Sequence, residues 1–459
     1  MNLKVLLMTS EAGPYAKTGG LGDVMEILPK ELRKQNVDAR VVFPKYKNLS
    51  KFNSLTDLGR VSVGIGFRHH EGQILRVDEE ENHNYVIAND HFFGRDNLYG
   101  YEDDHKRFYF FVRAALEFLK LINFKPHVIH LNDWQVGLTS FHLEEFLYDD
   151  PFYADIATLF SIHNIQHQGN FHRGILPELD ISDYYFTPDK LELHGNVSYM
   201  KSAIVYSHAI STVSAKYAKE IQTPTYSYGL DGVIAARKRD LYGIINGISY
   251  EDVDKGIMKD RDYIQNRVHL PEHNVPVIAL ISRLVQQKGI DIIAVALDEI
   301  LSMDLQLVVL GTGELRYEEL FREYSRRYPD KLAAHIYFST DLSIDIYKHS
   351  DMFLMPSLFE PCGLSQMIAM KYGTIPIVRK TGGLEDTVQH FNPKTKEGNG
   401  FVFEDYDANG LMWALREAMS IYQDGVMWGA VAKNALASKF TVEASATKYI
   451  EVYNKIKKT

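Results

Sequence analysis

Two stretches of this chain carry side chains suited to a negatively charged, hydroxyl-rich molecule. In Pro356-Ser-Leu-Phe-Glu-Pro-Cys-Gly-Leu-Ser365 a turn offers one carboxylate, Glu360, close to Gly363. The turn runs into a helix start, so the backbone N–H groups of Gly363, Leu364 and Ser365 suit an anion such as a phosphate. Arg283 and Lys288 lie together at a strand-to-helix turn, Ser282-Arg-Leu-Val-Gln-Gln-Lys-Gly289. A guanidinium fork and an ammonium point charge are what a diphosphate needs. As a merely solvated pair they would be awkward, because the dipole of a helix start disfavours cations. Breaking a bond from sugar to diphosphate creates an oxocarbenium-like carbon and a developing dianion, which fixed cations and N–H donors stabilise. Glycoside hydrolysis would need two carboxylates flanking the bond. Glu360 is the one convincing candidate, so transfer is expected over hydrolysis.

Other chemistry-bearing residues sit where apolar runs end. Leu3 to Thr9 leads into a loop containing Lys17-Thr-Gly-Gly-Leu-Gly-Asp-Val24. Gly19, Gly20 and Gly22 there let the backbone approach a ligand closely. The spacing is neither that of a Walker loop nor that of a dinucleotide site. Val128 to Leu131 delivers Asn132-Asp133-Trp134-Gln135, and Thr158 to Ile162 delivers His163-Asn164. A strand end followed by Asn favours a site reading for His163 over a satisfied core histidine. His167 has no such support and reads as structural. No His/Cys/Asp cluster has metal-ligand spacing.

The elements that must position these groups alternate between strands and helices, which predicts α/β architecture with parallel sheets. Helices are expected at Val24 to Lys34, Arg107 to Leu121 and Leu364 to Tyr372, and Leu55 to Asp90 reads as added strands and hairpins. In the second half, strands are expected at Val275 to Ile281, Leu305 to Leu310, Ile336 to Phe338, Met352 to Met355, Ile375 to Val378 and Phe401 to Phe403. Their turns then lie at the carboxyl edge, where such sheets bind ligands. The loop from Phe92 to Tyr101 carries Phe93, Tyr99 and Tyr101, which suit either an acceptor sugar or packing. A polar, charged linker is expected from Ser249 to Asn274.

Taken in order, Lys-Thr-Gly-Gly-Leu-Gly-Asp-Val, Asp-Trp, His-Asn, Asn246-Gly, Glu-Pro-Cys-Gly-Leu, Lys371-Tyr-Gly-Thr and Arg379-Lys-Thr-Gly-Gly-Leu resemble the signatures of the bacterial glycogen and plant starch synthases. The resemblance covers nearly the whole chain. It implies the GT-B fold: two Rossmann-like parallel-sheet domains facing across a cleft, with a final helix, Thr441 to Lys457, crossing back to the first. The implied domains are 1–248 with 441–459 (acceptor side) and 249–440 (donor side). The implied activity is retaining transfer of glucose to the non-reducing-end 4-hydroxyl of an α-1,4-glucan. Resemblance puts Lys17, Gly19 and Gly20 against the sugar nucleotide, His163 and Asn164 at the donor glucose, Arg283 and Lys288 on the pyrophosphate, and Phe338 on the base. Glu360, His163, Lys17 and Asp133 are the implied catalytic group, and Asn246 belongs to the turn closing the first domain. Five of these residues on two domains serve one donor, so donor binding is expected to close the domains. Many members have His where this chain has Gln135, so hydrogen bonding to a hydroxyl is expected there instead of acid–base work. Related families place a second Glu eight residues after the first; here that residue is Ile368. ADP-glucose is expected as donor because the likeness is to bacterial synthases. The alternatives are UDP-glucose, a small-sugar acceptor, or a catalytically silent glucan-binding homologue. Intact Lys17, Arg283, Lys288 and Glu360 count against silence.

Composition bounds the rest. With 459 residues the chain is too long for one ordinary core and long enough for two α/β domains. A net charge of −10 without a long basic run argues against nucleic acid or an anionic membrane as the main partner. No apolar stretch reaches transmembrane length. The single cysteine, Cys362, cannot form an intramolecular disulfide and fits a reducing compartment, so the cytoplasm is expected, with no cofactor beyond the nucleotide sugar.

Overall fold

The computed structural model describes residues 2–47, 54–78, 83–251 and 259–458. The chain forms two compact units, Met1–Gly247 with Val442–Thr459, and Ile248–Thr441.

The first unit is built on a sheet of nine strands among the described residues. Its order is Leu241–Gly243, Ala209–Thr212, Ala157–Ile162, Val128–Asn132, Lys4–Met8, Asp38–Pro44, Asn84–Ala88, Arg68–Val77 and Leu55–Ile65. Strands run parallel as far as Asn84–Ala88; the last two form an antiparallel hairpin added at one edge. The central strands are mostly apolar and almost wholly buried, as strands covered on both faces must be, with His130, Asn132, Thr158 and Ser161 as buried polar residues among them. The chain goes from Lys4–Met8 outward to one side and returns on the other at Val128–Asn132. That reversal opens a crevice at the carboxyl ends of neighbouring strands. Glu11, Asp133 and His163 follow three adjacent strands there. The closing helix, Val442–Ile456, lies in this unit. It is pinned by Tyr453, whose hydroxyl is 2.8 Å from Nδ1 of the buried His130; His130 Nε2 is in turn 2.6 Å from the Ser161 hydroxyl.

The second unit has one parallel sheet in the order Leu332–His335, Gln306–Leu310, Val277–Ile281, Met352–Met355, Ile375–Arg379, Phe401–Phe403. This is the doubly wound 3-2-1-4-5-6 pattern, and its switch point falls between Val277–Ile281 and Met352–Met355. Arg283 and Glu360 follow those two strands.

Three expectations shift. The strand placed at Ile336 to Phe338 is Leu332–His335, because the apolar Leu-Ala-Ala run fills the register opposite Leu307 to Val309. The helix after the glycine turn begins at Gly20, four residues early, so Gly20 and Gly22 are helical. The stretch expected as linker contains the helix Arg261–Arg267, and its charges find partners inside the second unit: Arg267 pairs with Asp345 at 3.1 Å, and half-buried Lys259 donates to Thr374 Oγ1 at 2.7 Å. Residues 252–258 of that stretch lie outside the described residues.

Candidate active site

In the first unit, site side chains are used to fix backbone. Glu11 is buried just past the first strand. Its Oε2 accepts from the N–H groups of Thr18 (2.8 Å) and Gly19 (3.2 Å), and its Oε1 from the hydroxyls of Thr18 (2.6 Å) and Tyr99 (2.5 Å). One carboxylate thus sets the shape of the glycine-rich turn. Lys17 projects from that turn and pairs with Asp23, both half-exposed. Sequence reasoning missed Glu11. The available signal was an acid at the carboxyl end of the first strand, seven residues ahead of Thr-Gly-Gly.

Asp133 adopts φ 62° and ψ 176°, a region nearly reserved for glycine that costs about 1–3 kcal/mol. The conformation turns its carboxylate back to accept from the His163 N–H at 2.8 Å. Burial pushes the Asp133 carboxyl up to about 7; the N–H groups of His163 and Asn164 pull against this, and the charge of Glu11 adds to it. His163 is held neutral, its pKa lowered to about 4 by burial. The Asn132 amide donates to the carbonyls of Met8 (3.3 Å) and His130 (3.2 Å), which aims its oxygen at His163 Nε2, 3.0 Å away. Nε2 therefore carries the proton, and Nδ1 is left as the ring's acceptor. Asn164 uses its side-chain oxygen to accept from Gln166 N–H at 3.0 Å. Gln135 and Asn246 are buried, and the side-chain oxygen of each has no hydrogen-bond partner among the described residues.

The aromatic loop divides. Phe93 is fully buried against Phe108, with ring centroids 6.4 Å apart, and the Arg107 guanidinium lies over Tyr101 at 4.7 Å. These two rings pack. Tyr99 instead joins the glycine turn through Glu11. His167 is exposed, and its N–H donates to the Asn164 carbonyl at 3.2 Å.

In the second unit, Glu360 and Lys288 meet. Glu360 Oε2 accepts from Lys288 Nζ at 2.6 Å and from Ser357 Oγ at 3.1 Å, and the carboxylate is buried. Lys288, Ser357 and Ser365 line a recess of about 60 Å³ with Ile281, Ser282 and Met355. Arg283 is exposed beside it, its guanidinium 3.3 Å from Gln287 Oε1. The backbone is assembled by close approach: a Cβ at Gly289 would lie 2.1 Å from the Pro356 carbonyl oxygen, and one at Gly382 would lie 2.0 Å from that of Glu360. Gly363, at φ 72°, turns the chain into the helix Ser365–Lys371, and Gln366 braces the turn by donating to the Gly363 carbonyl at 2.9 Å. Buried Cys362 lies in the same turn. Phe338 is 84 % exposed, three residues past its strand. Among the described residues no group of three or more His, Cys, Asp or Glu is placed to hold a metal ion.

Comparison with known proteins agrees along the chain. Residues 4–236 match the family described as starch synthase catalytic domain, and residues 263–435 match glycosyl transferases group 1. A glycogen synthase from Desulforamulus reducens is 44 % identical, with 99 % of each chain covered. One from Geobacillus stearothermophilus is 43 % identical over 99 % of this chain and 98 % of that one. The solved catalytic domain of starch synthase IV from Arabidopsis thaliana, bound to ADP and acarbose, superimposes with a TM-score of 0.91 at 30 % identity, covering 99 % of both chains. The chain belongs to the glycogen and starch synthase family of glycosyltransferases.

Proposed function

We propose that this enzyme transfers glucose from ADP-glucose to the non-reducing-end 4-hydroxyl of an α-1,4-glucan, with retention, in the cytoplasm and without a cofactor. The observation that carries the reading is the pair of half-buried Lys288 with buried Glu360 at the switch point of the second sheet, with Arg283 exposed at the neighbouring strand end. Arg283 and Lys288 bind the diphosphate and take up the charge that develops as the glycosidic bond breaks. The N–H groups of the Gly363-Leu364-Ser365 turn add to this, and Phe338 offers a face to the base. Glu360 orients the glucose and stabilises its cationic carbon, while the departing diphosphate accepts the proton of the incoming hydroxyl. His163, neutral and with Nδ1 as acceptor, receives a hydrogen bond from a glucose hydroxyl. Asp133 fixes the His163 backbone, Asn164 and Asn246 offer further polar contacts, and Lys17 with the Gly19-Gly20 backbone contacts the sugar nucleotide. The adenine donor is favoured by the Arabidopsis relative, which was solved with ADP.

Initial rates with maltoheptaose and either ADP-glucose or UDP-glucose, side by side, test the donor; NMR of the product tests the linkage. Faster transfer from ADP-glucose with a new α-1,4 bond is expected. Faster transfer from UDP-glucose overturns the donor assignment, and transfer to fructose but not maltoheptaose overturns the acceptor.

A further inference from the structure

A groove of about 820 Å³ opens on the second unit and shares no lining residue with the Lys288 recess. It is lined from the helix Gly382–Thr387, the edge strand Phe401–Phe403 and the helix Ala408–Gln423. Its volume falls in the range of small-molecule sites. Trp413 lines it, 51 % exposed although its ring stacks on His390 with centroids 5.4 Å apart and planes within 21°. The histidine is itself anchored. Its Nδ1 accepts from the Val402 N–H at 3.0 Å, and its ring meets Phe401 edge-on at 6.0 Å. The indole therefore rests on a fixed support. Glu385, Glu404, Asp405 and Asn409 line the same groove, and Lys380 donates to Glu404 at 2.6 Å.

A braced aromatic face flanked by hydrogen-bond acceptors suits a ring that is apolar on its faces and hydroxylated at its edge, which describes a hexose. Carboxylates accept from its hydroxyls and Asn409 can both donate and accept. A phosphate-bearing ligand is disfavoured, since three carboxylates face one ammonium that is already engaged by Glu404. We infer that this groove is a second glucan-binding site, which holds a distal part of the acceptor chain through Trp413. The inference rests on the reading that the acceptor is an α-1,4-glucan. Holding a long chain at a second point raises the effective concentration of its ends, an advantage a short chain does not share.

The full-length Trp413→Ala variant tests it, because Trp413 stands on the exposed side of its helix and the substitution spares the core. Retardation in gels containing glycogen measures binding, and rates are taken with glycogen and with maltotriose. Loss of the stacking face should weaken glycogen binding and raise its KM by about tenfold. The rate on maltotriose should match the parent, and Trp413→Phe should recover most of the binding. Asn409→Ala provides a second, milder loss. Unchanged glycogen retardation and KM in Trp413→Ala and Asn409→Ala overturn the site while leaving the transfer reading intact. A parent that elongates no glucan at all overturns both readings.

Discussion

The two units use their carboxylates in opposite ways. Glu11 and Asp133 in the first unit each spend an oxygen on backbone N–H groups, fixing the Thr18-Gly19 turn and the His163 loop, and the other Glu11 oxygen takes the Thr18 and Tyr99 hydroxyls. Glu360 in the second spends one oxygen on two side chains, Lys288 and Ser357, while glycines at close carbonyl contacts hold the backbone around it. A backbone hydrogen bond inside a turn has no ready substitute. A lysine bound to a carboxylate can exchange it for a phosphate oxygen as soon as one arrives. The first unit thus supplies a rigid frame and the second an ion pair ready to reorganise around a charged donor.

The largest expected effect comes from removing the charge of that ion pair. Glu360→Gln keeps an oxygen to accept from Ser357 and Lys288 but no longer stabilises a cationic glucose. Turnover should fall by about 10²–10³-fold with KM for the donor nearly constant, the mark of an interaction made mainly in the transition state. Turnover within a few-fold of the parent would take Glu360 out of the mechanism. Next in size is Gly382→Ala. Its Cβ would meet the Glu360 carbonyl oxygen at 2.0 Å, and φ there is +44°, so a loss of about 3 kcal/mol in stability is expected. Gly19 is the contrast: at φ −160° a Cβ meets nothing within 4 Å. Gly19→Ala should melt with the parent yet, on the proposed function, weaken donor binding, since a methyl group would then stand where the sugar nucleotide is assigned. Equal melting of parent and Gly382→Ala would show that the carbonyl contact relaxes at no cost.

Glu11→Gln probes the frame. A carboxylate can accept at both oxygens, whereas the amide must turn an N–H group toward one set of the donors around it. About 1–3 kcal/mol should be lost, the cost of buried donors left unpaired. Activity should fall with it, and Glu11→Asp should not restore it, because the shorter side chain cannot span to Tyr99. Full activity in Glu11→Gln would mean that the glycine turn holds its shape without the carboxylate.

Much of this was legible in the residues themselves. Met352–Met355 is a strand with the bounds its apolar run suggested, and Arg283, Lys288 and Glu360 could be placed at strand ends because apolar runs stop there. That Lys288 lies on Glu360 could not be read, since the two are 72 residues apart and only the 1-4 strand adjacency brings them together. Glu11 was hidden for a related reason: its role depends on a turn that folds back over it. Phe93 and Tyr101 were ambiguous because sugar stacking and core packing favour the same residue types, and only burial separates them. The Arg261–Arg267 helix was masked by charges that read as solvated but find partners in its own unit.

The smallest expected effect lies within the frame, where two neighbours titrate in opposite senses. Asp133 has its pKa raised from 3.8 to about 7. Between those values the folded state binds more protons than the unfolded, so this contribution to stability is full below 3.8 and is lost as pH rises through about 7. His163 has its pKa lowered from 6.5 to about 4. There the unfolded state binds more protons, so its contribution is present above 6.5 and is lost as pH falls toward 4. The two windows overlap and their slopes oppose, leaving little net signal from the pair in the parent. Removing one exposes the other. Relative to the parent, the melting temperature of Asp133→Asn should climb with pH between about 4 and 6.5, and that of His163→Gln should decline across the same interval. Parallel curves for parent and Asp133→Asn would mean that Asp133 ionises as an ordinary surface carboxylate. Its ionised carboxylate would then still accept from the His163 N–H, and the Asp133 N–H would still donate to the Ser161 carbonyl at 3.0 Å.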